Sequence, residues 1–158
     1  MFREMRRKAQ QLSYEKTEEI LQNGTSGVLA VSGDDGYPYA VPMSYVYHDG
    51  KVYFHSAKTG HKLDGIERDS RVSFCVIDMD EVLPEKYTTC YRSAIVFGKA
   101  RVITDESEMR KAAVLLADKY APDDEAGRKA EIDGGIGRMY MIELTVEHMT
   151  GKQAKELL

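Results

Sequence analysis

The sequence predicts a mainly β fold, a six-stranded antiparallel barrel with helical decoration. Three observations lead there. Six short segments of apolar or alternating character are separated by glycine- and aspartate-rich punctuation. Asp49-Gly50 stands between two of them as a tight hairpin signal. Only two long segments carry the helical period, and neither interrupts the run of strands between residues 27 and 104. A chain of 158 residues is the length of one domain, so residues 1–158 are read as a single unit.

The elements follow in order. Residues 13–24 read as a helix: Ser13 can cap it, Glu15, Glu18 and Glu19 lie early in it, and Asn23-Gly24 stops it. Gly27 to Gly33 reads as a buried strand ended by Asp34-Asp35-Gly36. Tyr39 to His48 is the second strand, and Asp49-Gly50 turns it into the third, Lys51 to Ser56. Pro42 cannot donate to a ladder, so the second strand is expected at an edge or bulged there. Lys58 to Arg68 reads as a short helix with Leu63 and Ile66 inward, and Arg71 to Ile77 as the fourth strand. Residues 79–90, with Pro84, read as a polar loop. Ser93 to Thr104 is a long strand with a bulge or bend expected at Gly98. Residues 105–120 form the best helix, capped by Asp105 or Thr104 with Glu108 completing the box. Ala121 to Arg138 reads as a connection, residues 139–149 hold the last strand, and residues 150–158 form a polar tail. The barrel meander thus occupies 27–104.

Composition narrows the function. Hydrophobic residues at 42% and charged residues at 30% fit a folded cytoplasmic protein. No run of about 18 apolar residues offers a membrane helix. The charged N-terminus lacks the apolar core of a secretory signal. A net charge of −4 argues against a general nucleic-acid binder. The local surplus Arg3, Arg6, Arg7, Lys8 reads as a solvated face. Cys75 and Cys90 are too few and too far apart for a disulfide scaffold or a CxxC pair, and Cys75, in an apolar run, is expected as a buried thiol.

Among chemistry-bearing residues, Gly60-His61-Lys62 stands out. Glycine admits close backbone approach, the next residues open a helix whose N–H groups converge, and Lys62 adds a positive charge. That set suits a phosphate monoester, although alone it also fits an ordinary surface turn. His55 ends the third strand, where alternation puts Phe54 and Ser56 on one face and Tyr53 and His55 on the other. A half-buried structural histidine fits that pattern too. His55 and His61 lack a third ligand at sensible spacing, so no metal site is assigned. Nucleophile elbows, HExxH and phosphate-loop motifs are absent, and Gly134-Gly135-Ile136-Gly137 lies among polar residues as a connector.

Taken together, Tyr37-Pro38-Tyr39-x-Val41-Pro42, the Asp49-Gly50 hairpin with Tyr53-Phe54-His55-Ser56-Ala57, and Gly60-His61-Lys62 with Asp64 resemble a known pattern. In this order and spacing they resemble the pyridoxamine 5'-phosphate oxidase-related, FMN-binding split-barrel superfamily, in its nitroimidazole-resistance-reductase-like branch, over roughly residues 13 to 152. The resemblance implies a six-stranded antiparallel split β-barrel of FMN-binding type, and a homodimer with flavin sites at the subunit interface. It implies that Val41, Pro42, Met43 and Ser44 run along the isoalloxazine edge, while Phe54, His55, Ser56 and Ala57 flank the ribityl chain and ring. His61 and Lys62 would hold the phosphate, where pyridoxamine-phosphate oxidases carry an Arg-Lys pair. Tyr91, Arg92 and Ser93 would approach from the partner subunit, and Lys152 in the tail would close over the site. His55 would act at the redox face, and a small (nitro)aromatic acceptor would be reduced with NAD(P)H. The substrate-reading C-terminal residues of true pyridoxamine-phosphate oxidases have no counterpart, which argues against vitamin synthesis. Because the superfamily also holds deazaflavin and haem binders, a non-catalytic flavin- or haem-binding stress protein is the alternative.

Overall fold

The computed structural model describes residues Met1 to Leu158. Helix α1 (Tyr14–Asn23) precedes β1 (Ser26–Ser32), β2 (Pro38–Ser44), β3 (Val46–His48) and β4 (Lys51–Ser56). Helix α2 (His61–Arg68), β5 (Arg71–Leu83), β6 (Thr88–Ile103), α3 (Glu106–Tyr120), α4 (Glu125–Gly135) and β7 (Tyr140–Gln153) follow. No helix is long and apolar enough to cross a membrane.

All strand pairings are antiparallel, in one sheet of order β2-β1-β5-β6-β7-β4-β3. Its two end strands, β2 and β3, are separated in sequence only by Tyr45, so one bent strand pairs with β1 on one side and β4 on the other and closes the barrel. The structure therefore has seven strand segments where the sequence suggests six, and the split lies at Tyr45. There the backbone leaves the ladder and is satisfied by the end of α3. The Tyr45 N–H donates to Tyr120 Oη at 3.1 Å, and its carbonyl accepts from Lys119 Nζ at 3.2 Å. The Tyr45 phenol donates to the Leu21 carbonyl at 2.7 Å, tying the bend to α1, and burial pushes its pKa up. A bend with unpaired backbone groups would otherwise be costly in a protein interior.

Strand alternation places the core. In β1, Gly27, Leu29 and Val31 point inward, while β4 turns Val52, Phe54 and Ser56 inward. Tyr45, Phe54 and Phe74 meet at the centre, with Phe74 edge-on to Tyr45 at 4.9 Å and to Phe54 at 5.1 Å. A second cluster joins Ile103 and Met141 of the barrel to Met109, Ala112, Ala113 and Ile132 of α3 and α4. The Asp49-Gly50 turn has positive φ at both residues, 49° and 73°, as a two-residue hairpin of this twist requires. The bulge expected at Gly98 is present as a register shift between Phe97 and Gly98 opposite β7. A Cβ on Gly98 would lie 2.0 Å from the Thr145 carbonyl oxygen, so only glycine fits there.

Four expectations need correction. Residues 79–90 are not a loop: β5 and β6 continue as a paired arm to Leu83 and Thr88, closed by a 3-10 turn at Pro84–Lys86. The stretch 121–138 contains α4, capped by Asp124, whose carboxylate accepts from Gly127 N–H at 2.9 Å. The last strand runs to Gln153, beyond the residue 149 expected. Cys75 is half-buried on the outward face, and Cys90 is the buried thiol; both are free.

Glu143 in β7 is a buried carboxylate, 7% exposed. Burial works against its charged form, but the two Arg101 hydrogen bonds, at 3.0 and 3.3 Å, together with Lys51 at 3.5 Å outweigh it and hold the carboxyl below its ordinary value. Its contribution is therefore present at neutral pH and is lost as pH falls below about 4.3, the unfolded glutamate value, through the lower folded one. Glu143→Gln is expected to lower stability at pH 7 by about 1–3 kcal/mol and to flatten the acid limb of the stability profile, read by urea titrations across pH.

Candidate functional site

The candidate site starts on β4, whose alternation buries Phe54 and Ser56 and leaves His55 exposed. Phe54 lies wholly inside the barrel against Phe74, so it supports the site from beneath rather than lining it. The Ser56 hydroxyl donates to the Ala57 carbonyl at 2.8 Å. Beyond Ala57 the chain turns through Gly60, whose φ of 145° is a glycine conformation, and enters α2. Leu63 and Ile66 are buried and seat this helix. No side chain caps its first turn, so its leading N–H groups face outward as donors beside Lys62, which has no ion-pair partner.

His61 is placed differently from Lys62. Its ring stacks on Tyr39 at 3.9 Å, and its Nε2 accepts the Asp34 N–H at 3.3 Å. Arg68 binds the same β1–β2 turn, donating to the Ser32 and Gly33 carbonyls and pairing with Asp34 at 3.0 Å. One ring nitrogen of His61 is thus committed to fixing this turn against α2. Lys62 is the cation free to meet a ligand.

On the neighbouring strand, Val41 and Met43 pack onto the barrel core while Pro42 and Ser44 face outward. β2 pairs only with β1, the edge position that Pro42 requires. Ser44 and His55 open into a cavity of about 360 Å³ between the barrel and the α3–α4 pair. Its other walls include Leu116, Tyr120, Glu131, Ile132 and Met141. Sequence reasoning missed all five. Leu116 and Tyr120 carried a signal, being apolar α3 positions left partly exposed beside the second cluster; α4 carried almost none.

The remaining expected residues gather elsewhere. Ser93 and Lys152 are cross-strand partners on β6 and β7, and Lys152 Nζ sits 5.4 Å from the centre of the Tyr91 ring. Arg92 pairs with Asp78 at 3.1 Å. Ser93 and Lys152 share a cleft of about 220 Å³ with Thr150, Arg6 and Arg7. The N-terminal segment is pinned across this face by Phe2, stacked on His148 at 4.8 Å and Phe97 at 5.5 Å. The arginines that read as a solvated face thus line a cleft. Within the chain, then, the expected residues fall into three groups: the start of α2, the Ser44–His55 cavity, and the Ser93–Lys152 cleft.

A family model described as pyridoxamine 5'-phosphate oxidase matches residues 13–153, nearly the whole chain. The chain belongs to the pyridoxamine 5'-phosphate oxidase family. No curated protein matches it. Among solved structures, this pyridoxamine 5'-phosphate oxidase family member is similar to a protein from Bacteroides thetaiotaomicron named for 5-nitroimidazole antibiotic resistance. That likeness has 23% identity and a TM-score of 0.77 over 90% of this chain and 86% of that one. It is also similar to an FAD- and haem-binding protein from Mycobacterium smegmatis, at 20% identity and a TM-score of 0.79, covering 92% of this chain and 74% of the other. An FAD-binding protein from Mesorhizobium loti is 25% identical with a TM-score of 0.65, covering 92% and 97%. These likenesses agree with the split-barrel architecture that the strand order shows.

Proposed function

We propose that this protein is a homodimeric FMN-binding flavoprotein that reduces small aromatic acceptors, nitroaromatics among them, with NAD(P)H. One observation carries the reading: a single strand, β4, delivers His55 to the mouth of an apolar cavity and then, through Gly60, opens α2 with uncapped N–H groups beside Lys62. That donor set suits a phosphate, and the cavity mouth suits the edge of a planar ring. Lys62 and the first turn of α2 would hold the phosphate, with His61 bracing the turn from Asp34 and Tyr39. Ser44, Pro42 and Ala57 would border the ring. Hydride or electron transfer belongs to the flavin when it is bound.

The dimer is supported by two features. The expected flavin residues are divided among three places on one protomer, and a second copy could join them. The outward face of β1, β5 and β6 also carries an apolar stripe in register, Val28 opposite Cys75 and Cys75 opposite Ile95, with Ile77 nearby. Such stripes are commonly covered in the assembled protein.

His55 is the residue proposed to act. Reduction of a nitro group consumes protons, and an exposed imidazole at the cavity mouth is placed to hand one on. His55→Ala is expected to lower NAD(P)H-dependent nitroaromatic reduction by about 10²-fold while the flavin content stays at the wild-type level. Steady-state turnover on flavin-loaded protein measures this. Unchanged turnover would remove His55 from the mechanism.

A further inference from the structure

We propose that the cavity between the barrel and the α3–α4 pair is the acceptor's own binding site, and that Glu131 makes it select neutral rings over anionic ones. The inference rests on the flavin reading for the word acceptor, but its physical content is a binding preference that turnover is not needed to detect.

The cavity exists because α4 exists. Arg110 on α3 reaches Asp133 on α4 at 2.6 Å, and Ile132 is buried against the α3 residues Met109 and Ala113. The two helices thus form one wall, and the barrel strands carrying Ser44, His55 and Met141 form the other. A volume of about 360 Å³ falls at the small end of the range for ligand sites, roughly 300–1,000 Å³. Leu116, Ala117 and Met139 give it an apolar surface, and methionine adapts its shape to a flat ring more readily than a branched side chain does.

The polar groups decide which ring. Tyr120 contributes only its ring face, because its hydroxyl is committed to the Tyr45 backbone at the strand bend. Ser44 and His55 supply hydrogen bonds from the barrel side. Glu131 faces them from α4, exposed and without a hydrogen-bond or ion-pair partner. No lysine or arginine lines the cavity. The nearby cations are held elsewhere: Arg128 by Asp118 at 3.0 Å, Arg138 by the Gly134 carbonyl at 2.8 Å, and Lys119 by the Gly24 and Tyr45 carbonyls. A carboxylated or phosphorylated ring would bring its charge beside a carboxylate, with no guanidinium or ammonium among the lining residues to pair with it. A neutral ring meets no such cost. Discrimination of this kind comes from the repulsive group as much as from the apolar contacts.

The test compares two ligands of the same ring, nitrobenzene and 4-nitrobenzoate, binding to the purified flavin-loaded protein by titration calorimetry. The wild type is expected to bind nitrobenzene at least about tenfold more tightly. Glu131→Lys should shift the affinity ratio toward 4-nitrobenzoate by about tenfold or more, with Glu131→Gln between the two. Leu116→Trp, which fills the cavity, should weaken both ligands about tenfold while flavin absorbance and melting temperature stay near wild type. A ratio unmoved by Glu131→Lys, or no binding of either ring to the wild type, overturns the proposal. Loss of flavin in folded Leu116→Trp also overturns it, by giving the cavity to the cofactor. Rings that bind as expected but are never reduced would sink the reductase reading and leave the site standing.

Discussion

Ile95→Glu is expected to leave the protein monomeric and to strip it of flavin. Ile95 is 42% exposed on the outward face of β6, opposite Cys75 of β5, which in turn lies opposite Val28 of β1. In a two-fold interface each substitution enters twice, so two carboxylates would be carried against the apolar Val28–Cys75 stripe, while the β7 side of Ile95, at Thr150, borders the cleft lined by Arg6, Arg7 and Lys152. Desolvating them costs roughly 3 kcal/mol or more in total, about a hundredfold or more in the dissociation constant. The barrel itself should be little affected, because Ile95 points away from the core formed by its neighbours Ala94 and Val96. Light scattering with in-line absorbance reads both mass and flavin. A flavin-loaded Ile95→Glu dimer at micromolar concentration would mean that the pairing surface lies elsewhere.

Phe74→Ala carries the largest expected loss of stability. The ring is fully buried at the centre of the barrel, edge-on to both Tyr45 and Phe54. Removing a buried phenylalanine costs about 3–5 kcal/mol, through lost burial and the cavity left behind. A domain of this kind has roughly 5–15 kcal/mol in total, so a third or more of it would go. The effect should reach the site, because Tyr45 marks the bend between β2 and β3 and Phe54 is the neighbour of His55. Phe74→Leu should lose less than half as much. Urea midpoints of the three proteins measure this, and a Phe74→Ala shift worth under about 1 kcal/mol would show that the aromatic cluster is not the keystone.

Local chemistry made much of the barrel legible. Ser13 accepts the Lys16 N–H at 3.2 Å and Asp105 accepts the Glu108 N–H at 3.0 Å, the caps their positions suggest. Alternation in β1 and β4 sorted inside from outside, and the edge position of Pro42 followed from its missing N–H. What stayed hidden was set at a distance or had no core to announce it. The bend at Tyr45 is fixed by Lys119 and Tyr120, which lie far along the chain. The β5–β6 arm exposes Asp80, Glu81 and Val82, so it shows no inward apolar face to read. α4 buries only Ile132 and contains Gly127, Gly134 and Gly135, so propensity and periodicity both point away from a helix. Its Asp124 cap and its Arg110–Asp133 and Arg128–Asp118 links hold it instead. The same holds for the site. Gly60-His61-Lys62 was visible as a motif, yet the different duties of His61 and Lys62 depend on Tyr39 and Asp34 across the fold. The helical wall of the cavity could not be read without α4.

The start of α2 and the neighbouring edge of the barrel are proposed to hold a flavin mononucleotide. The most direct measurement is the absorbance spectrum of the purified protein, with the mass of the small molecule released on denaturation. The expected result is the two bands of an oxidised flavin, a released compound of FMN mass at about one per chain, and loss of both in Lys62→Glu. A colourless protein that takes up no FMN on titration, or a haem Soret band without flavin, would contradict it.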